Sequence, residues 1–143
     1  MLSFNKRQMD KIRKVPKDKK SGLPKKYVPA SLTKEDREKQ VKSIKEGTKR
    51  PKVESFKSRR SKFVVAFEKK YGTKITDDKF ISKNIISQKG IDEILDKGRG
   101  AYFSGGSRPN QTPESWSRAR LASVVMNGKA RQVDIKIWNK YKK

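Results

Sequence analysis

Ser55-Phe-Lys-Ser-Arg-Arg-Ser-Lys-Phe-Val-Val-Ala-Phe-Glu-Lys-Lys-Tyr-Gly72 is the stretch that decides the fold. At 3.6 residues per turn Phe56, Phe63, Val64, Phe67 and Tyr71 share one face, with Ser55 placed to cap the first turn and Gly72 to close the last. An apolar face of this extent is a core face, and the spacing predicts an amphipathic helix. Arg59, Arg60, Lys62, Lys69 and Lys70 occupy the rest of its surface, so the same helix is expected to carry a basic ridge.

Downstream, Ile91, Ile94 and Leu95 turn inward on a shorter helix around Asp92–Lys97 that Gly98 ends. Thr112 caps a further helix, with Pro113 at its first position, that runs through Trp116, Ala119 and Ala122 to about Met126, and Gly128 follows it. In the last segment Val133, Ile137, Trp138 and Tyr141 fall on one side at helical spacing, although residues 132–137 also alternate as a strand would. Upstream, Thr33 caps a helix whose first turn holds Glu35 and Asp36 and whose stop is Gly47. Glu35–Lys39 and Glu38–Lys42 support it by about 0.2–0.5 kcal/mol each, but its apolar stripe is only Val41 and Ile44, so it must dock on something else.

Composition divides the chain at the same place. Residues 1–54 hold 18 basic and 7 acidic residues, net +11, with Phe4 and Tyr27 as their only aromatics, whereas residues 55–143 carry net +13 and ten aromatics. Lys11, Arg13, Lys14, Lys17, Lys19, Lys20, Lys25 and Lys26 are interrupted by Pro16, Gly22, Pro24 and Pro29, which blocks both helix and strand ladders. The expected architecture is mainly α: a small helical domain over residues 55–143, preceded by an extended basic arm, residues 1–54, that carries one helix near 34–46. Residues 1–30 of the arm are expected to order only on a partner, strapped across another subunit.

The whole chain has 143 residues, 39 Lys and Arg against 15 Asp and Glu, and a formal charge of +24. That far exceeds the charge of about 2 to 8 that keeps a small domain soluble, and it points to a polyanionic partner. With no His and no Cys, the sequence holds no thiolate or imidazole metal site, no Ser-His-Asp or Cys-His nucleophile and no disulfide. The longest apolar run, Phe63 to Phe67, is far short of the roughly 20 residues of a bilayer crossing or the 7 to 15 of a signal segment, so no membrane association and no secretory signal are expected.

Gly98-Arg-Gly-Ala-Tyr-Phe-Ser-Gly-Gly-Ser-Arg-Pro-Asn-Gln-Thr-Pro-Glu-Ser-Trp116 reads as a shaped loop. One account is anion capture, with free amides at Gly105, Gly106 and Ser107, the guanidinium of Arg108 and the helix start after Thr112 around one phosphate or carboxylate. The account given more weight is structural: glycines for turns, Pro109 and Pro113 to fix φ, and Asn110 and Thr112 to satisfy backbone groups. No nucleotide-binding glycine motif is present. Ser31 and Lys34 match S-x-x-K, but Ser31 sits where capping explains it. Asp77, Asp78, Asp92, Glu93 and Asp96 would hold Mg²⁺ only if folding gathered them; otherwise they serve helix first turns. No metal and no cofactor is expected.

The candidate contacts with an anion, nucleic acid or partner are therefore Lys11, Arg13, Lys14, Lys17, Lys19 and Lys20 on the arm, Lys49, Arg50 and Lys52 at its end, Arg59, Arg60 and Lys62 on the ridge, and Gly105, Gly106, Ser107 and Arg108 in the loop. Lys49-Arg-Pro-Lys52 also has the form of a short nuclear-import signal, a form that arises easily in so basic a chain. Phosphate neutralisation on DNA or RNA fits the amount of charge and would be sequence-blind and steeply salt-dependent. Binding to acidic protein surfaces in a large assembly fits it too. Base readout has no support, for no zinc finger, RNP aromatic pair or heptad-bearing basic region is present.

Lys26-Tyr-Val-Pro-Ala-Ser-Leu-Thr-Lys-Glu-Asp-Arg-Glu-Lys-Gln40, Lys49-Arg-Pro-Lys-Val-Glu-Ser-Phe-Lys-Ser-Arg-Arg-Ser61 and Gly98 to Thr112 together resemble a family of unknown function, a small basic domain associated with large DNA viruses of algae and amoebae and with large tailed phages. The resemblance spans roughly residues 25–137 and is most specific at the Ser-Arg-Pro-Asn-Gln-Thr loop, followed by Ser-Trp and Ala-Arg-Leu-Ala-Ser; Phe103 and the Gly105-Gly106 pair depart from it. It brings no catalytic residue. It implies a viral setting, with the protein in the virion, or in host cytoplasm or nucleus before assembly. The expectation is a non-enzymatic minor capsid or cement component that binds capsid protein subunits, packaged double-stranded DNA, or both. The alternative is a protein that coats or condenses DNA or RNA, and an enzyme built on the Arg108 loop ranks below both.

Overall fold

The computed structural model describes residues 17–143, and among them there are seven α-helices and no strand. The helices are α1 (Lys34–Glu46), α2 (Lys62–Tyr71), α3 (Asp78–Asn84), α4 (Gln88–Gly105), α5 (Pro113–Val125), α6 (Lys129–Val133) and α7 (Ile135–Tyr141). The mainly helical class expected from the periodicity is the class observed.

The centre is the α4–α5 pair. α2 and α6 pack on α5, while α1, α3 and α7 pack on α4. Gly98 makes the central crossing close, since a Cβ there would stand 2.7 Å from both the Cα and Cβ of Ser117. The core gathers Val64, Phe67, Ile75, Ile81, Ile86, Ile91, Ile94, Leu95, Leu121 and Val124. Each fully buried Ile contributes about 1.5–3 kcal/mol relative to exposure.

Helix ends follow side-chain chemistry where it is local. Thr33 accepts from Asp36 N–H at the start of α1, and Gly47, at φ 68°, ends it. Thr112 and Ser115 form a reciprocal capping box on α5 with Pro113 in the first turn. Arg131 closes the other end of α5, donating to the carbonyls of Val124 and Val125 at 2.7 and 2.9 Å while its guanidinium stacks 4.0 Å from the centre of the Trp138 ring.

Several boundaries differ from the sequence expectation. α2 begins at Lys62 under Ser61, and residues 51–61 before it are not helical, because their polar groups are held by other segments. The Ser55 hydroxyl accepts from Thr33 N–H at 3.1 Å and donates to Asp36, and Asn110 grips the backbone at Val53 and Phe56. α4 runs through Gly98 and Gly100 to Gly105, so the first half of the expected loop is helix. Val133, expected inward, is 70% exposed, and neighbouring Asp134 is buried instead by a two-point pair with Arg120, at 2.8 and 2.7 Å. The strand alternative for residues 132–137 gives way to α6 and α7.

Residues 17–30, part of the arm expected to order on a partner, lie against their own chain; residues 1–16 lie outside the described residues. Lys17 bridges to Pro24 across a turn at Gly22, Asp18 pairs with Arg37 of α1, and Val28 is buried. α1 finds its docking surface in the same way, laying Gln40, Ser43 and Ile44 against the end of α4 and the loop after it.

Candidate polyanion interface

Most carboxylates are engaged inside the fold. Asp18 pairs with Arg37, Glu68 with Arg60, Asp78 with Arg118, Asp96 and Glu114 with Arg99, and Asp134 with Arg120. Asp77 caps α3 and takes the Thr73 hydroxyl, and Asp36 takes that of Ser55. Asp18, Asp36, Glu68, Asp77 and Glu114 are all held below their ordinary pKa, led in each case by a side-chain hydrogen bond, from Ser21, Ser55, Arg60, Thr73 and Arg99 respectively. No group of three or more potential metal-ligating side chains comes together among the described residues.

The cations are thereby left in excess at the surface. Lys49, Lys52, Lys57, Arg59, Arg60 and Lys62 are exposed along one stretch. The ridge expected along one helix is split: Arg59 and Arg60 precede α2 on a non-helical ledge, while Lys62, Lys69 and Lys70 lie on the helix itself. Tertiary anchors hold the ledge. Asn110 Oδ1 accepts from Val53 N–H at 2.6 Å, its Nδ2 donates to Val53 O at 3.2 Å and Phe56 O at 2.8 Å, and Asn110 N–H reaches Pro51 O at 3.1 Å. Arg60 is tied to Glu68 at 2.6 Å.

Arg50 is removed from the interface. It is 5% exposed, its N–H donates to the Tyr102 hydroxyl at 2.6 Å, and its guanidinium lies 4.8 Å from the centre of that ring and donates to the carbonyls of Thr48 and Tyr102. The arm residues Lys17, Lys19 and Lys20 are exposed on the first turn. Lys20 also lines a cleft of about 530 Å³ between that turn and α1, with Lys34, Arg37, Lys42 and Lys45 among the other walls. Lys11, Arg13 and Lys14 lie outside the described residues.

In the loop the four candidates do not act as one anion cradle. Gly105 ends α4; the Gly106 amide donates to Ala101 O at 3.1 Å; and Gly106, at φ 91°, sits where a Cβ would press on Ile44. Ser107 is fully buried and its carbonyl accepts from Gln40 Nε2 at 2.7 Å. The start of α5 is closed by its own capping box and lies beside the Glu114–Arg99 pair. Gly105 and Arg108 are exposed, and of these only Arg108 brings a side chain to the surface.

What surrounds Arg108 is not evident from local sequence. Gln40 Nε2 also donates to Tyr27 O at 2.9 Å, which brings Lys26 and Tyr27 beside the loop. Burial first, then Arg108 and Lys129, hold the Lys26 ammonium below its ordinary pKa, and burial raises the Tyr27 phenol. Tyr27 meets Trp116 edge to face at 6.0 Å between ring centres. Gln40, Lys26, Tyr27, Trp116 and Lys129 come together only through tertiary structure; the one hint in the sequence is Tyr27, one of two aromatics in the basic arm.

No helix among the described residues is long and apolar enough to cross a membrane. No curated protein and no solved structure matches the chain. A family of unknown function, DUF5824, matches residues 24–138, taking in both the ledge with its anchors and the Arg108 surface. The chain belongs to that family.

Proposed function

We propose that this is a non-enzymatic structural protein that lays its basic ledge on a polyanion, with nucleic-acid phosphates as the first partner. The observation that carries the reading is the division of charge: most of the described carboxylates are engaged in intramolecular pairs and caps, while Lys49, Lys52, Lys57, Arg59 and Lys62 stand exposed with no carboxylate partner among the described residues and with Glu54 the one acidic residue of the ledge. Cations on anchored backbone suit phosphate contacts that position without reading sequence. The resemblance to a basic domain of large DNA viruses and tailed phages supports one setting for this role, that of a minor capsid or cement component on the genome side of a particle.

The test is binding of the purified full chain to unrelated duplexes of about 30 base pairs across a salt series. Log K is expected to fall linearly with log salt, at a slope of about −0.9 per phosphate neutralised, with no preference among sequences. Negligible binding at physiological salt overturns the reading and makes an acidic protein surface, such as that of a capsid subunit, the partner to pursue.

A further inference from the structure

The surface around Arg108 combines two features that the ledge lacks. The first is a knot of like charge. Gln40, fully buried, ties the Tyr27 and Ser107 carbonyls together through one amide nitrogen, so the segments that carry Lys26 and Arg108 are held to each other, and the charges of Arg108 and Lys129 both act on Lys26. None of the three pairs with a carboxylate among the described residues. The second is aromatic surface that the core does not use. Tyr27 and Trp116 are half-buried, stand at 77° to each other and take no part in the apolar cluster. In an edge-to-face pair, the ring that offers its edge keeps both faces outside the contact.

We propose that Lys26, Arg108 and Lys129, with the Tyr27–Trp116 pair beside them, form a nucleotide subsite for single-stranded nucleic acid, in which the cations take the phosphodiester and an aromatic face takes a base. The inference rests on the polyanion reading above and narrows it. A duplex keeps its bases stacked inside and engages only the cations, whereas an unpaired strand offers phosphate and ring together. Stacking of this kind does not depend on which base is present.

The experiment uses the full chain carrying Trp138→Phe, which leaves Trp116 as the only indole. It is titrated with oligothymidylate, with a duplex of the same length, with polyphosphate and with polyglutamate, following both Trp116 fluorescence and affinity. Oligothymidylate is expected to quench Trp116, while duplex and polyphosphate bind without quenching. Trp116→Leu is expected to weaken single-strand binding by roughly tenfold and leave duplex affinity within about twofold. Should that variant unfold, Arg108→Ala, with its exposed side chain, is expected to weaken the single strand and abolish the quench. DNA binding with Trp116 unquenched, or equal quenching by polyphosphate, overturns the subsite and leaves the polyanion reading standing. Quenching by polyglutamate alone replaces the nucleotide with an acidic protein segment. Failure to bind any of the polyanions removes both.

Discussion

Asn110 closes on Val53 from both sides, accepting from its N–H at 2.6 Å and donating to its carbonyl at 3.2 Å, as a neighbouring strand would. It does so from φ 67°, a conformation that Asn tolerates better than most residues. Asn110→Ala strands three backbone groups and strains the turn, and is expected to cost about 2 kcal/mol or more. Asn110→Asp keeps the acceptor but replaces the one amide nitrogen that donates to both carbonyls with an oxygen facing them, and is expected to be no better. Urea midpoints measure the loss, and faster amide exchange at Val53 locates it.

Two glycines of α4, two residues apart, are expected to respond in opposite directions. Gly98→Ala forces a Cβ to within 2.7 Å of the Ser117 Cα, which is backbone and cannot yield without moving α5, so a loss of about 1–3 kcal/mol is expected. At Gly100 a Cβ meets nothing within 4 Å, and alanine is expected to add about 0.5–1 kcal/mol through helix propensity. Thermal unfolding of the two variants against the parent separates these outcomes.

Asp134 is 1% exposed and is held by Nε and Nη2 of Arg120, with Lys97 at 3.9 Å. Asp134→Ala leaves a largely buried guanidinium without its anion and is expected to cost about 3–5 kcal/mol. Replacing both partners, Arg120→Met with Asp134→Leu, is expected to recover most of that loss, because no buried charge remains. Denaturant unfolding of the single and double variants closes the cycle.

The Asp18 carboxyl is held down to about 2 by the Ser21 side chain first and Arg37 next. Its folded pKa lies below the unfolded value of about 3.9, so the contact stabilises the fold at pH values above that value and is lost as pH falls through about 2. Asp18→Asn is expected to melt below the parent at pH 5, with the gap closing toward pH 2. A gap that is constant across this range would show that the carboxylate charge is not what holds the turn.

Elements whose ends are set by their own side chains were legible in the sequence. Thr33 with Gly47, and Thr112 with Pro113, mark α1 and α5 because a cap is chemistry over three or four residues. Ser55 and Ser61 offer the same cap to the same apolar run, and what decides between them is distant: Thr33, Asp36 and Asn110 claim the backbone and hydroxyl groups of residues 53–56. Gly98 carries a stop signal in sequence, yet it serves as the close contact that lets α4 run past α5. The excess of cations was readable from composition. Which of them reach the surface was not, since Arg50 is drawn inward by Tyr102, and Lys26 reaches Arg108 only through Gln40.

The apolar cluster lies wholly between Val64 and Val125, while Val28, Gln40, Ile44, Arg50 and Val53 are buried outside it, in a layer laid over the end of α4. A layer that stands outside the main apolar cluster and is tied by side-chain hydrogen bonds is expected to open as its own cooperative unit, below the free energy of global unfolding. Lys26, Lys49 and Lys52 belong to that outer layer, whereas Lys62 and Arg108 sit on the α2–α5 body, so a ligand that bridges the two sets acts as a fastening for the layer. Native-state hydrogen exchange would then fall into two classes, a slow one from α2 to α5 and a faster one over residues 17–56, with bound polyanion slowing only the second.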